Sequence, residues 1–143
     1  MSFVSLSKSQ SISVFQCYLK EIRHYGKIRA FENIFETLKR EVKEECGLPI
    51  TKINTGKIET VSAPYYEVQS YTPYYSVQNI AGRYPIMMDV FLCEAEGNLL
   101  KETDESKNIA WRSVEDISKL LNQPNKFYAM HFGAIKKIIT ELL

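Results

Sequence analysis

The sequence predicts an α/β fold with a mixed β-sheet and helices on its faces. Apolar residues recur every two positions in several short segments and every three or four positions in others, and the two kinds of segment alternate along the chain. A length of 143 residues, 45% of them hydrophobic and 24% charged, is typical of one globular domain. We therefore expect a single domain over residues 1–143.

The first half of the chain predicts a strand and then a helix. Residues 11–19 form an imperfectly alternating apolar segment, which favours a strand. Residues 33–45 carry apolar side chains at spacings of three and four, with Asn33 as the predicted N-cap. Gly47 and Pro49 follow and should end the helix, because a C′ glycine and a later proline commonly do so.

The second half predicts several strands and two helices. Strands are expected at 53–61, at 65–78 as one or two strands, at 86–96 and at 108–112. Ser113 should cap a helix that runs to about residue 121, and Pro124 should break it. The last apolar pattern predicts a helix over 126–143.

Charge and cysteine content argue against several classes of protein. A net charge of +1 lacks the basic excess that nucleic-acid binding needs. Cys17, Cys46 and Cys93 are odd in number and widely spaced, which indicates reduced thiols rather than a disulfide framework. Residues 1–10 do not resemble a signal peptide, and the apolar runs are too short to span a bilayer. We expect a cytoplasmic protein with no nucleic-acid partner and no membrane attachment.

Three glutamates lie on one side of the predicted helix at 33–45. At about 100° per residue, Glu41, Glu44 and Glu45 fall within an arc of roughly 100°, and Glu45 lies closest to the apolar stripe. Like charges at these spacings repel, and the C-terminal end of a helix disfavours anions. A hard divalent cation would remove this repulsion, because Mg²⁺ is commonly shared between carboxylates and phosphates. The alternative is a solvated charged helix face.

The segment at 26–48, GKIRAFENIFETLKREVKEECGL, resembles the Nudix box. That motif is a glycine, five residues, Glu, seven residues, Arg-Glu, an aliphatic, any residue, Glu-Glu, any residue, Gly and an aliphatic. Its positions are filled here, at the required spacing, by Gly26, Glu32, Arg40, Glu41, Val42, Glu44, Glu45, Gly47 and Leu48. A match of this length is specific. The resemblance implies a Nudix-type α/β/α sandwich, with a mixed sheet between helices.

The resemblance also implies a site for a diphosphate and for one to three divalent cations, Mg²⁺ or alternatively Mn²⁺. Glu41, Glu44 and Glu45 would be metal ligands, with one of them as the candidate general base. Gly26 would let the backbone approach the cation. Arg40 would orient a carboxylate by ion pairing.

The acidic segment at 101–106 resembles a loop that often supplies one more carboxylate in this family. Glu105 is the first candidate for that ligand and Glu102 the second. A solvated acidic turn is the equally weighted alternative.

Substrate-binding candidates are Glu32, Tyr65 and Tyr66. Glu32 would brace the loop or approach the metal through water. The tyrosines could stack on a nucleobase, although such residues more often cover a sheet face. Pro64 lies where ADP-ribose-cleaving members tend to carry a proline, whereas the tyrosines lie near a position used by dinucleoside-polyphosphate-cleaving members.

The resemblance implies a pyrophosphohydrolase that acts on a nucleoside triphosphate or a related nucleotide and releases a nucleoside monophosphate. The short chain favours this substrate class over the alternative, ADP-ribose or a nucleotide sugar. A nucleotide-binding module without catalysis is a third interpretation.

The region before residue 26 departs from the family pattern. Members usually have two strands and a Pro-Gly-Gly-like approach there, but here the approach is Arg23-His24-Tyr25. Residues 5–11 resemble what often follows the first strand. That strand is therefore expected to be shortened, absent or supplied by another copy of the chain, since an exposed sheet edge favours a homodimer.

Overall fold

The computed structural model describes residues 4–7, 12–19, 31–83, 85–102 and 109–143, with side chains from residue 31 onward. Within these ranges the strands are β1 (Val4–Ser7), β2 (Ile12–Leu19), β3 (Ile50–Asn54), β4 (Glu59–Ala63), β5 (Tyr66–Ser70), β6 (Tyr75–Gln78), β7 (Met87–Ala95) and β8 (Trp111–Ser113). The α-helices are α1 (Ile34–Cys46), α2 (Val114–Ser118) and α3 (Ala129–Leu142). The observed combination of helices with strands confirms the predicted α/β class.

Strand β7 pairs with three other strands of a six-stranded sheet. β2 pairs antiparallel with one edge of β7 along its length, while β3 and β6 pair with different parts of β7. β1 extends the sheet beyond β2 and pairs in parallel with β8, which makes the sheet mixed. β4 and β5 form a separate two-stranded sheet.

Strand β7 contributes residues to two hydrophobic clusters. Met88 and Val90 belong to a cluster with residues of α2 and α3, whereas Phe91 and Cys93 belong to a cluster with residues of α1. Successive side chains of a strand point to opposite faces of the sheet. The alternation along β7 therefore places the two clusters on opposite faces of the sheet, with α1 on the face of the second cluster.

The strands predicted at 11–19 and 86–96 are confirmed as β2 and β7. The single strand predicted at 53–61 is wrong, because the chain leaves β3 at residue 54 and enters β4 at residue 59. β3 pairs with β7 and β4 pairs with β5, so the two segments belong to different sheets. The region at 65–78 contains two strands, β5 and β6.

Several helices and strands begin or end at residues other than those predicted from the sequence. α2 ends at Ser118, earlier than the predicted residue 121, and α3 begins at Ala129, later than the predicted residue 126. Helix α3 begins later than predicted because residues 124–126 form a separate 3₁₀ turn that starts with Pro124. β8 lies at residues 111–113, later than the predicted 108–112, and residue 108 lies outside the described residues.

The N-terminal strand is short and comes from the chain itself. β1 contains four residues and lies between β2 and β8, with Val4 opposite Val14 and Ser5 opposite Trp111. Ser5 is therefore part of the strand, and the expectation that residues 5–7 follow the first strand is wrong. A strand of this chain is thus present among the described residues of this region.

None of the helices in the described part of the chain has the length and apolar character needed to cross a membrane.

Candidate functional site

Helix α1 has well-defined ends. Asn33 Oδ1 accepts hydrogen bonds from the amides of Phe35 and Glu36 at 3.1 and 2.9 Å, and the Glu36 carboxylate accepts one from the Asn33 amide at 3.3 Å. This capping box satisfies amides that the first helical turn leaves unpaired. At the other end Gly47 has a φ of 81° and donates to the Lys43 carbonyl. The ends set the rotation of α1 and thus the direction of its side chains.

The acidic side chains of α1 differ in burial. Leu38 and Val42 are 0% and 1% exposed and form the apolar stripe. Glu45 lies beside that stripe and is 4% exposed, as the helical periodicity predicts. The side chain of Glu41 is 13% exposed and that of Glu44 is 55% exposed. The three carboxylates therefore extend from the core to the solvent.

Arg40 connects three carboxylates. Its Nε and Nη2 donate to Oε1 and Oε2 of Glu32, each at 2.9 Å, in a bidentate pair. Its Nη1 donates to Glu41 at 2.6 Å and to Glu44 at 3.1 Å. The hydrogen bond with Glu32 raises the pKa of Arg40 above its usual value; burial acts in the opposite direction, and Glu41 adds to the rise. The motif thus brings Glu32, eight residues before Arg40, back onto the helix.

Thr37 is a member of this cluster that the sequence interpretation missed. Its side chain is completely buried, and its hydroxyl donates a hydrogen bond of 2.9 Å to Oε2 of Glu32. The available signal was a hydroxyl residue next to Leu38 on the apolar side of the predicted helix. Phe31, directly before Glu32, has a φ of 64°, which turns the chain towards α1.

The chemistry of these donors fits a hard divalent cation. Carboxylate oxygens are the ligands that Mg²⁺ and Mn²⁺ prefer. Arg40 binds Glu41 and Glu44 in the arrangement observed, and among the residues described from 31 onward no three His, Cys, Asp or Glu side chains form a metal-binding group. Gly26 and Glu105, which the sequence adds to the ligand set, lie outside the described residues, and Glu102 is exposed.

Tyr65 and Tyr66 lie at the turn of the β4–β5 hairpin and are 98% and 62% exposed. That hairpin is not part of the sheet that packs against α1. Tyr71 instead packs against Phe35 of α1 and Phe91 of β7, with ring centroids 5.7 Å apart in both pairs. Tyr71 thus covers a sheet face, while stacking of Tyr65 or Tyr66 on a base stays a prediction.

Cys46 is suited to packing rather than to nucleophilic attack. It is 1% exposed, its thiol donates to the Val42 carbonyl, and burial raises its pKa. A thiol that resists ionisation is a poor nucleophile.

A family model described as NUDIX domain matches residues 25–131. The matched span includes the segment at 26–48, strand β7 and the start of α3. The comparison with curated proteins found no match, and neither did the comparison with solved structures.

Proposed function

The chain belongs to the NUDIX domain family, and from this premise we propose that it is a Mg²⁺-dependent pyrophosphohydrolase of nucleoside triphosphates or related nucleoside-diphosphate compounds. Membership confirms the resemblance carried by the segment at 26–48. It implies a pyrophosphohydrolase-type activity, and members of the family generally use divalent metal ions. The products in our proposal are a nucleoside monophosphate and a second phosphate-containing group.

The observation that carries the proposal is the group of carboxylates on α1. One guanidinium, that of Arg40, is shared by Glu32, Glu41 and Glu44, and Glu45 of the same helix is buried. Arg40 supplies a single positive charge to these carboxylates, and crowding carboxylates near a helix C-terminus is unfavourable where their charge is only partly compensated. A divalent cation provides that compensation and serves a diphosphate substrate at the same time.

Each member of the cluster has a proposed role. Glu41, Glu44 and Glu45 hold the cation, and one of them accepts the proton of the attacking water. When bound, the metal would supply positive charge that offsets the negative charge on the phosphate oxygens. Arg40 fixes Glu41 and Glu44 through its ion pairs, and Glu32 fixes Arg40.

The remaining parts of the proposal concern residues away from this cluster. Gly26 and Glu105 complete the ligand set, and Tyr65 and Tyr66 contact the nucleoside. The chain forms one domain, an α/β/α sandwich, in keeping with clusters on both faces of β7. We also propose a cytoplasmic location, which suits the free thiols of the buried Cys46 and Cys93.

The test is a hydrolysis panel with purified protein. Nucleoside triphosphates, ADP-ribose, nucleotide sugars and dinucleoside polyphosphates are incubated with Mg²⁺, and monophosphate release is measured beside a Glu44→Gln, Glu45→Gln variant. We expect Mg²⁺-dependent release from nucleoside triphosphates that the variant loses. Glu36→Gln is the matched control, because this exposed residue lies on the same helix and glutamine also supports a capping box. Release from ADP-ribose or a nucleotide sugar instead would reassign the substrate class.

A second candidate is a nucleotide-binding module without catalysis. It is favoured by the ion pairs of Arg40 with Glu41 and Glu44, which engage two of the three proposed ligands. Calorimetry separates the two functions, because it measures the affinity of the protein for a nucleotide that the hydrolysis panel shows to be left uncut. A binding module retains nucleotide affinity in the Glu44→Gln, Glu45→Gln variant and turns over nothing in either form.

A further inference from the structure

Thr37 makes an unusual hydrogen bond for a threonine within a helix. Such a hydroxyl commonly bonds to a backbone carbonyl one turn earlier. Thr140 of α3 does so, with its hydroxyl 2.9 Å from the Lys136 carbonyl oxygen. Thr37 instead donates to the carboxylate of Glu32, which precedes the first turn of α1. Its side chain is 0% exposed and that of Glu32 is 14% exposed, so this bond is partly buried.

The bond places Glu32 between two donors. Arg40 donates to both carboxylate oxygens of Glu32, and Thr37 donates to Oε2, all at 2.9 Å. A carboxylate held from two directions cannot rotate without losing a hydrogen bond. Because Glu32 is rigid, the planar guanidinium of Arg40 is fixed too, and Nη1 is directed to Glu41 and Glu44.

Packing alone gives no reason for a hydroxyl at this position. Thr37 lies among the buried residues Ile34 and Leu38 of α1, where valine would fill the same volume without a polar group. A buried hydroxyl is unfavourable unless it is hydrogen-bonded, and here its bond leads to the charged cluster. The hydroxyl of Thr37 therefore helps to hold the Glu32 carboxylate in place.

We propose that Thr37 is a positioning residue for the divalent-cation site, acting through Glu32 and Arg40 on Glu41 and Glu44. The inference rests on the proposed function of the α1 carboxylates. It predicts that the geometry of the ligands depends on one hydroxyl group that does not itself touch the metal.

The test compares Thr37→Val, which removes the hydroxyl at nearly constant volume, with Thr37→Ser, which keeps it. Thr140→Val is the matched control, because it removes a helical threonine hydroxyl from α3. Calorimetry measures Mn²⁺ affinity without substrate, and kinetics give kcat, KM and the half-saturating Mg²⁺ concentration. We expect Thr37→Val to weaken cation affinity and lower kcat by roughly 10-fold or more, with KM little changed. Thr37→Ser and Thr140→Val should remain close to wild type.

Three results would overturn the inference. Wild-type cation affinity and kcat in Thr37→Val would show that the hydroxyl has no positioning role. Equal losses in Thr37→Ser and Thr37→Val would assign the effect to the methyl group and to packing. A wild-type protein that binds no divalent cation would refute the proposed function, and the inference with it, whereas the first two results leave the proposed function intact.

Discussion

At the scale of single residues, Arg40 is the most connected charge of the described site. It is bonded to Glu32, Glu41 and Glu44, and its side chain is only 18% exposed. Hydrogen bonds between partly buried charged groups contribute more to stability than exposed ion pairs do. The exposed pair of Lys52 and Glu94, with side chains 62% and 40% exposed, provides the contrast.

Arg40→Met is expected to lower the free energy of unfolding by roughly 1.5–3 kcal/mol, because it leaves three carboxylates without their shared cation. The matched change Lys52→Met should cost less than about 1 kcal/mol. Urea unfolding in metal-free buffer measures both. Equal losses in the two variants would contradict a special role for the Arg40 cluster in the folded state.

His131 is a second residue whose burial has a measurable consequence. It is 8% exposed in the first turn of α3, its ring packs edge-on against Tyr128 at 5.0 Å, and burial lowers its pKa to about 4. An unfolded histidine titrates near pH 6.5. The unfolded chain thus binds a proton that the folded chain does not, and stability falls as the pH drops below 6.5.

From these pKa values, His131 should reduce the free energy of unfolding by about 2 kcal/mol between pH 7.5 and pH 5. The measurement is urea unfolding across this range for the wild type and for His131→Gln, which has no titrating ring. We expect a distinctly flatter profile for the variant. Parallel profiles would show that His131 is protonated as easily in the folded chain as in the unfolded one.

At the scale of elements, the C-terminal end of α1 depends on a glycine that is both conformationally required and sterically confined. Gly47 has a φ of 81°, and a Cβ there would lie 2.6 Å from Cγ of Leu100. The amide of Leu100 donates to the Cys46 carbonyl, so its backbone is fixed at the helix end. Gly82 has a similar φ of 94° with no atom within 4 Å of the added Cβ.

Gly47→Ala should therefore destabilise the protein more than Gly82→Ala does. Both place a side chain in the left-handed region, which costs roughly 1–2 kcal/mol, and Gly47→Ala adds the contact with Leu100. Thermal and urea unfolding of the two variants give the comparison. If Gly82→Ala were the more damaging change, the close packing of Leu100 on the end of α1 would be wrong.

Local chemistry made α1 predictable. Its cap at Asn33, its stop at Gly47 and the spacing of its apolar residues all lie within the helix or next to it, and these signals gave its ends to within a residue. The division of 53–61 into β3 and β4 was not predictable in this way. It depends on which distant strand each half pairs with, and alternation of apolar residues does not report the partner.

The same distinction applies to the candidate site. Helical periodicity predicted that Glu45 lies at the buried edge, because that depends only on rotation about the axis of α1. The bond between Thr37 and Glu32 was missed, since it depends on how the chain before α1 folds back. No local rule specifies that path.

At the scale of the whole molecule, β7 connects the two hydrophobic clusters, because its residues belong to both. Val90 contributes to the cluster with α3, and Phe91 contributes to the cluster with α1. Trp111, the single tryptophan of the chain, packs against the α1 cluster, whereas Ile138 of α3 is buried in the other. If residues 1–143 form one cooperative domain, a change in one cluster should alter unfolding reported from the other.

Ile138→Ala should lower the free energy of unfolding by roughly 2–5 kcal/mol, and Trp111 fluorescence should report the full loss in urea. Ile80→Ala is the control, because Ile80 is 90% exposed and its truncation should change stability by less than about 0.5 kcal/mol. Fluorescence curves that are unaffected by Ile138→Ala would indicate that the clusters unfold independently and would contradict a single cooperative unit.

We propose that Glu41, Glu44 and Glu45 on α1 hold a divalent cation, and the proposed function depends on this assignment. It is tested most directly by titrating ¹⁵N-labelled protein with Mn²⁺ and recording paramagnetic broadening of the backbone amide signals, because this requires no knowledge of the substrate. We predict selective broadening centred on residues 41–46, which the Glu44→Gln, Glu45→Gln variant loses. Broadening centred elsewhere, or unchanged in the variant, would contradict the assignment of α1 as the metal site.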